Sequence, residues 1–183
     1  MFIPRRDNSG LLFIDIQEKL IKAMDLDVYN EKIQNMIKLA KFAKLIDLPY
    51  FLTQHYTKGL GNTVMELRAI LGDEYFEKIH FSAYRESGFL DYVCDCKNMI
   101  IVGMETHVCV LQTALDMLDA DYNVFIVKDA VLSIRKSNWE NALEYLKKAG
   151  AIITNTETVI FQLLEKGGTE EFKEALKIIK GEV

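Results

Sequence analysis

Three residues stand where their side-chain chemistry is out of place. Asp15 interrupts the apolar run Leu11-Leu12-Phe13-Ile14-Asp15-Ile16. A carboxylate inside such a run is unfavourable unless it is paired or used. At the carboxyl end of a strand it points into a crevice; the plainer reading is a cap on the next turn. Cys109 ends the segment Ile101-Val102-Gly103-Met104-Glu105-Thr106-His107-Val108-Cys109, which reads as strand, glycine turn and helix start. With Thr106 as N-cap, Cys109 falls in the first helical turn. The free N–H groups and positive end of a helix favour a thiolate there and can hold a developing oxyanion. The plainer reading is a small buried cysteine on an apolar helix face. Lys78, in Glu77-Lys78-Ile79-His80-Phe81-Ser82, lies in or near a short strand; alone it reads as a surface lysine.

Other signals are weaker. Cys94 and Cys96 form a Cys-x-Cys pair with no second pair to complete a zinc site, and they read as incidental thiols near a helix end. Gly59-Leu60-Gly61-Asn62-Thr63-Val64 has Val64 at the third glycine position and does not follow the first strand, so it is no dinucleotide fingerprint. His55, His80 and His107 lack metal-ligand spacing.

These residues need elements to position them. Continuous β-branched runs at 11–16, 50–53, 99–102, 124–127 and 151–154 predict strands buried on both faces, as in a parallel sheet. A shorter strand is expected near Phe76–His80. Between them, Ile33, Ile37, Ala40 and Lys44 share a helix face, and Val108, Leu111, Leu115 and Leu118 share another. Ser137 and Glu140 have capping-box spacing, Gly150 suits a helix C-cap, and Phe172, Ala175, Leu176 and Ile179 mark a last amphipathic helix. Strand–helix alternation implies right-handed βαβ units and a three-layer α/β/α fold with a mainly parallel, six-stranded, Rossmann-like sheet. Such sheets work at the carboxyl ends of their strands.

The chain has 183 residues, half of them hydrophobic, and a net charge of −5. Residues 1–183 are expected to form one domain. The acidic balance, without a basic cluster, argues against a nucleic-acid partner. No apolar run approaches bilayer length, and the start Met-Phe-Ile-Pro-Arg-Arg-Asp lacks an apolar leader. No membrane association and a cytoplasmic location are expected. Three cysteines fit a reducing compartment.

The order of these residues resembles the isochorismatase-like cysteine hydrolases. The resemblance rests on Asp15-Ile16-Gln17-Glu18, the Lys78-x-x-Phe81-Ser82 segment, Gly103-x-Glu105-Thr106-x-x-Cys109 with Leu111-Gln112-Thr113, Lys128-Asp129-Ala130, and the stretch from Thr156 to Leu164. It covers nearly the whole chain and is closest to the isochorismatase domain-containing proteins, a branch related to nicotinamidases. It implies Cys109 as nucleophile, Asp15 as general base and acid, and Lys78 as their cationic partner. It also implies a cis peptide before Glu105, which would aim the Glu105 and Cys109 amides at the substrate oxygen. Gln17, His55, Tyr84 and Val108 would line the pocket. Nicotinamidases of the superfamily hold a metal through an Asp-x-His pair near the second strand; here that stretch reads Thr53-Gln54-His55-Tyr56. A metal-independent hydrolase of a small amide, needing no cofactor, is therefore expected. Isochorismatases proper lack the cysteine, so isochorismate is not the expected substrate. The alternative is a non-catalytic oligomeric protein that retains the fold. Intact Asp15, Lys78 and Cys109 argue against it. A flavodoxin-like module would need a phosphate-binding glycine loop after the first strand, which is missing. A homo-oligomer is expected, with the apolar loop residues Val131, Leu132 and Ile134 as an interface patch.

Overall fold

The computed structural model describes residues 3–93 and 95–183. Six strands form one sheet: β1 (Ser9–Ile14), β2 (Tyr50–His55), β3 (Phe76–Lys78), β4 (Asn98–Met104), β5 (Asn123–Leu132) and β6 (Ile152–Thr154). Their order is β3-β2-β1-β4-β5-β6, and every neighbouring pair is parallel. Each apolar run of the sequence lies in a strand, including the short one at β3.

The period of two along each strand divides the core into two layers. Leu11 and Phe13 of β1, Ile100 and Val102 of β4, and Phe125 and Val127 of β5 face one layer. Leu12 and Ile14, Met99 and Ile101, and Val124 and Ile126 face the other. The order of helices is α1 (Glu18–Ile21), α2 (Leu26–Leu45), α3 (Thr57–Leu60), α4 (Met65–Leu71), α5 (Phe89–Tyr92), α6 (Leu111–Asp119), α7 (Lys136–Ala149), α8 (Thr156–Leu164) and α9 (Glu170–Lys180). Residues of α2, α4, α8 and α9 pack in the first layer, and those of α5, α6 and α7 in the second. Every residue of β4 is buried. Each fully buried Ile, Leu or Val there contributes about 1.5–3 kcal/mol.

Side-chain caps fix several helix starts. Asp25 accepts from the amides of Asp27 and Val28 before α2, Asn155 from Thr158 before α8, and Thr169 from Phe172 before α9. Gly150 ends α7 with φ 107° and donates to Leu146 and Lys147 carbonyls, as its position suggested. The Ser137 capping box does not form, because α7 begins two residues earlier than that cap requires, at Lys136 with Arg135 as N-cap.

The chain runs outward from β1 to β2 and β3, then crosses back to lay β4 on the other side of β1. The reversal opens a crevice at the carboxyl ends of β1 and β4. The two strands approach closely at Gly103, whose φ is 121°; a Cβ there would lie 2.1 Å from the Ile14 carbonyl oxygen. Only glycine suits that backbone and that gap.

Among the described residues, no helix is long and apolar enough to cross a membrane. Cys96 is buried. Cys94 lies outside the described residues.

Candidate active site

Asp15 follows the last residue of β1 in a left-handed conformation, φ 50°, which aspartate tolerates better than most side chains. Its side chain is buried. One oxygen, Oδ1, accepts from Thr53 Oγ1 on β2 at 2.7 Å. The other, Oδ2, lies 2.6 Å from Lys78 Nζ at the end of β3. The lysine is therefore no surface residue: it is 1% exposed. Its ammonium also donates to the carbonyls of His80 at 3.2 Å and Phe81 at 3.0 Å.

Cys109 enters from β4. The Met104–Glu105 peptide is cis, the bond that the resemblance implied. Residues Thr106–Val110 then form a wide π-helical turn that leads into α6. Glu105, not Thr106, is the N-cap, and it makes no side-chain cap bond. The Thr106 hydroxyl is buried beneath the turn. The wide turn directs two amides, Val108 and Val110, to the Glu105 carbonyl. The Cys109 thiol lies within the electrostatic reach of both Asp15 and Lys78.

Cys109 is 7% exposed. Burial pushes its thiol pKa well up, and the Asp15 carboxylate adds to that; Lys78 opposes them. Desolvation and Asp15 thus work against the thiolate expected from the helix start, and Lys78 works for it.

Asp15 and Cys109 face a cavity of about 170 Å³, lined with them by Leu20, His55, Leu60, Phe81, Met104, Glu105 and Val108; Lys78 lies behind Asp15, outside the lining. His55 and Val108 line it as the sequence suggested. The His55 ring stacks on Phe81, with centroids 5.4 Å apart. Its pKa is lowered, first by burial and then by Lys78, so the imidazole is neutral. Gln17 is outside the lining. Its amide donates to the His55 and Gly61 carbonyls and accepts from the His55 amide, and so props the wall from behind. Tyr84 is also outside the lining, edge-on to Tyr122. Leu20, Leu60, Phe81 and Met104 were not anticipated. Leu20 and Leu60 sit on one-turn helices and Phe81 in a loop that no periodicity marks.

The residues at the carboxyl end of β2 do not fit a metal ion. Thr53 is tied to Asp15, Gln54 donates to Thr63, and His55 stands alone in the wall. No group of three His, Cys, Asp or Glu able to hold a metal occurs among the described residues.

Similarity to known proteins agrees with this architecture. The isochorismatase domain matches residues 9–158. The chain is 37% identical over 181 residues to the secreted isochorismatase effector Isc1 of Phytophthora sojae, covering 94% of this chain and 85% of that one. Among solved structures, MAR1 ribonuclease from Caenorhabditis elegans superposes with a TM-score of 0.89 at 35% identity, over 96% of this chain and 91% of that one. YcaC from Pseudomonas aeruginosa, in a structure with hexane-2,5-diol and covalent acrylamide, gives 0.87 at 25% identity, over 96% and 91%. With its sheet order, its chemistry-bearing crevice and a domain match over most of its length, the chain belongs to the isochorismatase family of hydrolases.

Proposed function

We propose that the protein hydrolyses a C–N bond of a small, uncharged amide through a thioester on Cys109, without a metal. The observation that carries this reading is a thiol and a buried carboxylate facing one small cavity, with a buried ammonium 2.6 Å from that carboxylate.

The chemistry follows from the geometry. The Cys109 sulfur forms a bond to the amide carbon as its proton passes to Asp15. The carbonyl oxygen becomes an oxyanion, held by the backbone amides of Glu105 and Cys109. As the intermediate collapses, the C–N bond breaks and the proton on Asp15 passes to the leaving amine. Water then gives a proton to Asp15 and attacks the thioester carbon. The sulfur leaves, retrieves the proton, and the acid departs. Lys78 offsets negative charge on sulfur during both steps.

The lining also sets the substrate. Lys78 is engaged by Asp15, and Glu105 accepts from the Ile134 amide at 2.9 Å. No spare Lys or Arg among the lining residues can neutralise a substrate carboxylate, and apart from the His55 imidazole the remaining walls are apolar. A compact neutral acyl group fits; a charged one loses its hydration without compensation. The Caenorhabditis elegans relative is named a ribonuclease, but an acidic chain with a cavity of about 170 Å³ is poorly suited to a polyanion.

We also propose a homo-oligomer built on the groove of about 450 Å³ that Val28, Val131, Leu132, Ile134 and Trp139 line. The hydrolase reading is tested by ammonia release from isobutyramide and benzamide beside succinamic acid. The neutral amides are cleaved and succinamic acid is not; Cys109→Ser abolishes release. Release that survives Cys109→Ser contradicts the reading.

A further inference from the structure

The Lys78 ammonium donates to the His80 and Phe81 carbonyls and is ion-paired with Asp15 Oδ2 at 2.6 Å. Two of those acceptors belong to a loop whose first residues are exposed: Ile79 is 63% exposed and Phe81, though it stacks on His55, is 51% exposed. Polar ties add to that contact in holding the loop in place. Its far half is tied to α6: the Ala83 amide donates to Thr113 Oγ1 at 2.9 Å, and Arg85 forms a two-bond ion pair with Asp116 at 2.7 and 2.9 Å. The near half is held by Glu86. A single oxygen, Oε2, accepts from the Ile79 amide at 2.8 Å and the His80 amide at 3.1 Å, and lies 2.9 Å from His80 Nδ1. The loop thus bends between a carboxylate that takes its amides and an ammonium that takes its next two carbonyls.

We propose that Glu86 is a positioning residue for the Lys78 ammonium: by fixing the Ile79 and His80 amides, it keeps the His80 and Phe81 carbonyls on Lys78 and so holds Lys78 beside Asp15 and Cys109. The inference rests on the reading of Asp15, Lys78 and Cys109 as one nucleophilic centre. Its donors hold the Glu86 carboxyl at about 2, well below the usual carboxylate range, so it is an anion at any pH where the site works. The same anchor sets the place of Phe81, which walls the cavity and stacks on His55.

Position and charge can be separated. Glu86→Gln keeps an acceptor oxygen at the same reach without the charge; Glu86→Asp keeps the charge and shortens the reach. The test is the rate at which iodoacetamide alkylates Cys109 at pH 8, read by peptide mass spectrometry on the full chain, with melting temperatures in parallel. Lys78→Met slows the reaction about tenfold or more, the equivalent of about one unit of thiol pKa. Glu86→Asp slows it about three- to tenfold, and Glu86→Gln stays within about twofold of the parent. Three outcomes overturn the role of Glu86: Asp as fast as the parent, Gln slow with Asp normal, or a lower melting temperature with the Cys109 rate unchanged. If Lys78→Met itself leaves the rate unchanged, the nucleophilic centre fails, a result distinct from failure of Glu86 alone.

Discussion

At the scale of single residues, the site is built on a buried charge pair, and such a pair is only as good as its remaining hydrogen bonds. Asp15 has its second oxygen satisfied by Thr53, whose hydroxyl donates across from β2. Thr53→Val keeps the shape and deletes that donor. Losing it costs about 1–3 kcal/mol, because a buried carboxylate oxygen is left short of a partner. Urea unfolding will show this loss, and amide hydrolysis will fall in the same variant. Asp15 and Cys109 were legible as oddities of position: a carboxylate in an apolar run and a thiol after a strand–glycine turn. Lys78 was not, because residue type alone makes a lysine a surface residue; only the resemblance singled it out. Gln17 and Tyr84 differ from expectation for a related reason. Sequence order places them near the site, but the direction of a side chain depends on which backbone groups around it need partners.

At the scale of elements, the site depends on how closely β4 lies against β1. Gly103 sets that spacing. Gly103→Ala drives a Cβ into backbone at a left-handed φ, and it will destabilise the protein by at least about 2 kcal/mol from strain and clash together. Gly150→Ala makes the comparison: its φ is also positive, but nothing lies within 4 Å of the added carbon. It costs about 1 kcal/mol, from the backbone conformation alone. Chemical denaturation of the two variants separates spacing from conformation, and equal losses would remove Gly103 from the account. The strands were legible because burial on both faces leaves continuous apolar runs. The helix starts were less so. Ser137 has a good capping spacing, but α7 starts at Lys136. The turn at Thr106 is governed by the Glu105 carbonyl gathering two amides, an arrangement no side-chain pattern announces.

At the scale of the whole molecule, an acidic surface surrounds one notable apolar groove. Val28 and Ile134 are exposed there, beside Trp139, whose indole donates to the Val131 carbonyl at 3.0 Å. If a second copy covers this groove, the parent elutes from gel filtration above its 21.0 kDa chain mass. The double variant Val28→Asp/Ile134→Asp then shifts to the monomer, because two carboxylates cannot be buried unpaired. A parent that elutes as a monomer contradicts that assembly. Topology joins this scale to the site: the reversal of strand order between β1 and β4 creates the crevice, and the amphipathic patterns made that class of fold legible before any contact was known. The small volume of the cavity was not legible, since it arises where Leu20, Leu60 and Phe81 from separate short segments meet.

The central claim is that Cys109 is a nucleophile whose proton passes to Asp15 and whose charge is offset by Lys78. Its most direct test is the pH dependence of Cys109 alkylation in the parent, in Asp15→Asn and in Lys78→Met. In the parent, burial and Asp15 raise the thiol, so the midpoint lies above the ordinary thiol value of about 8.5. Removing the Asp15 charge removes one of the raising influences and moves the midpoint down. Removing Lys78 removes the lowering influence and moves it up. Opposite displacements in the two variants are the predicted result. Identical profiles in all three proteins would contradict it.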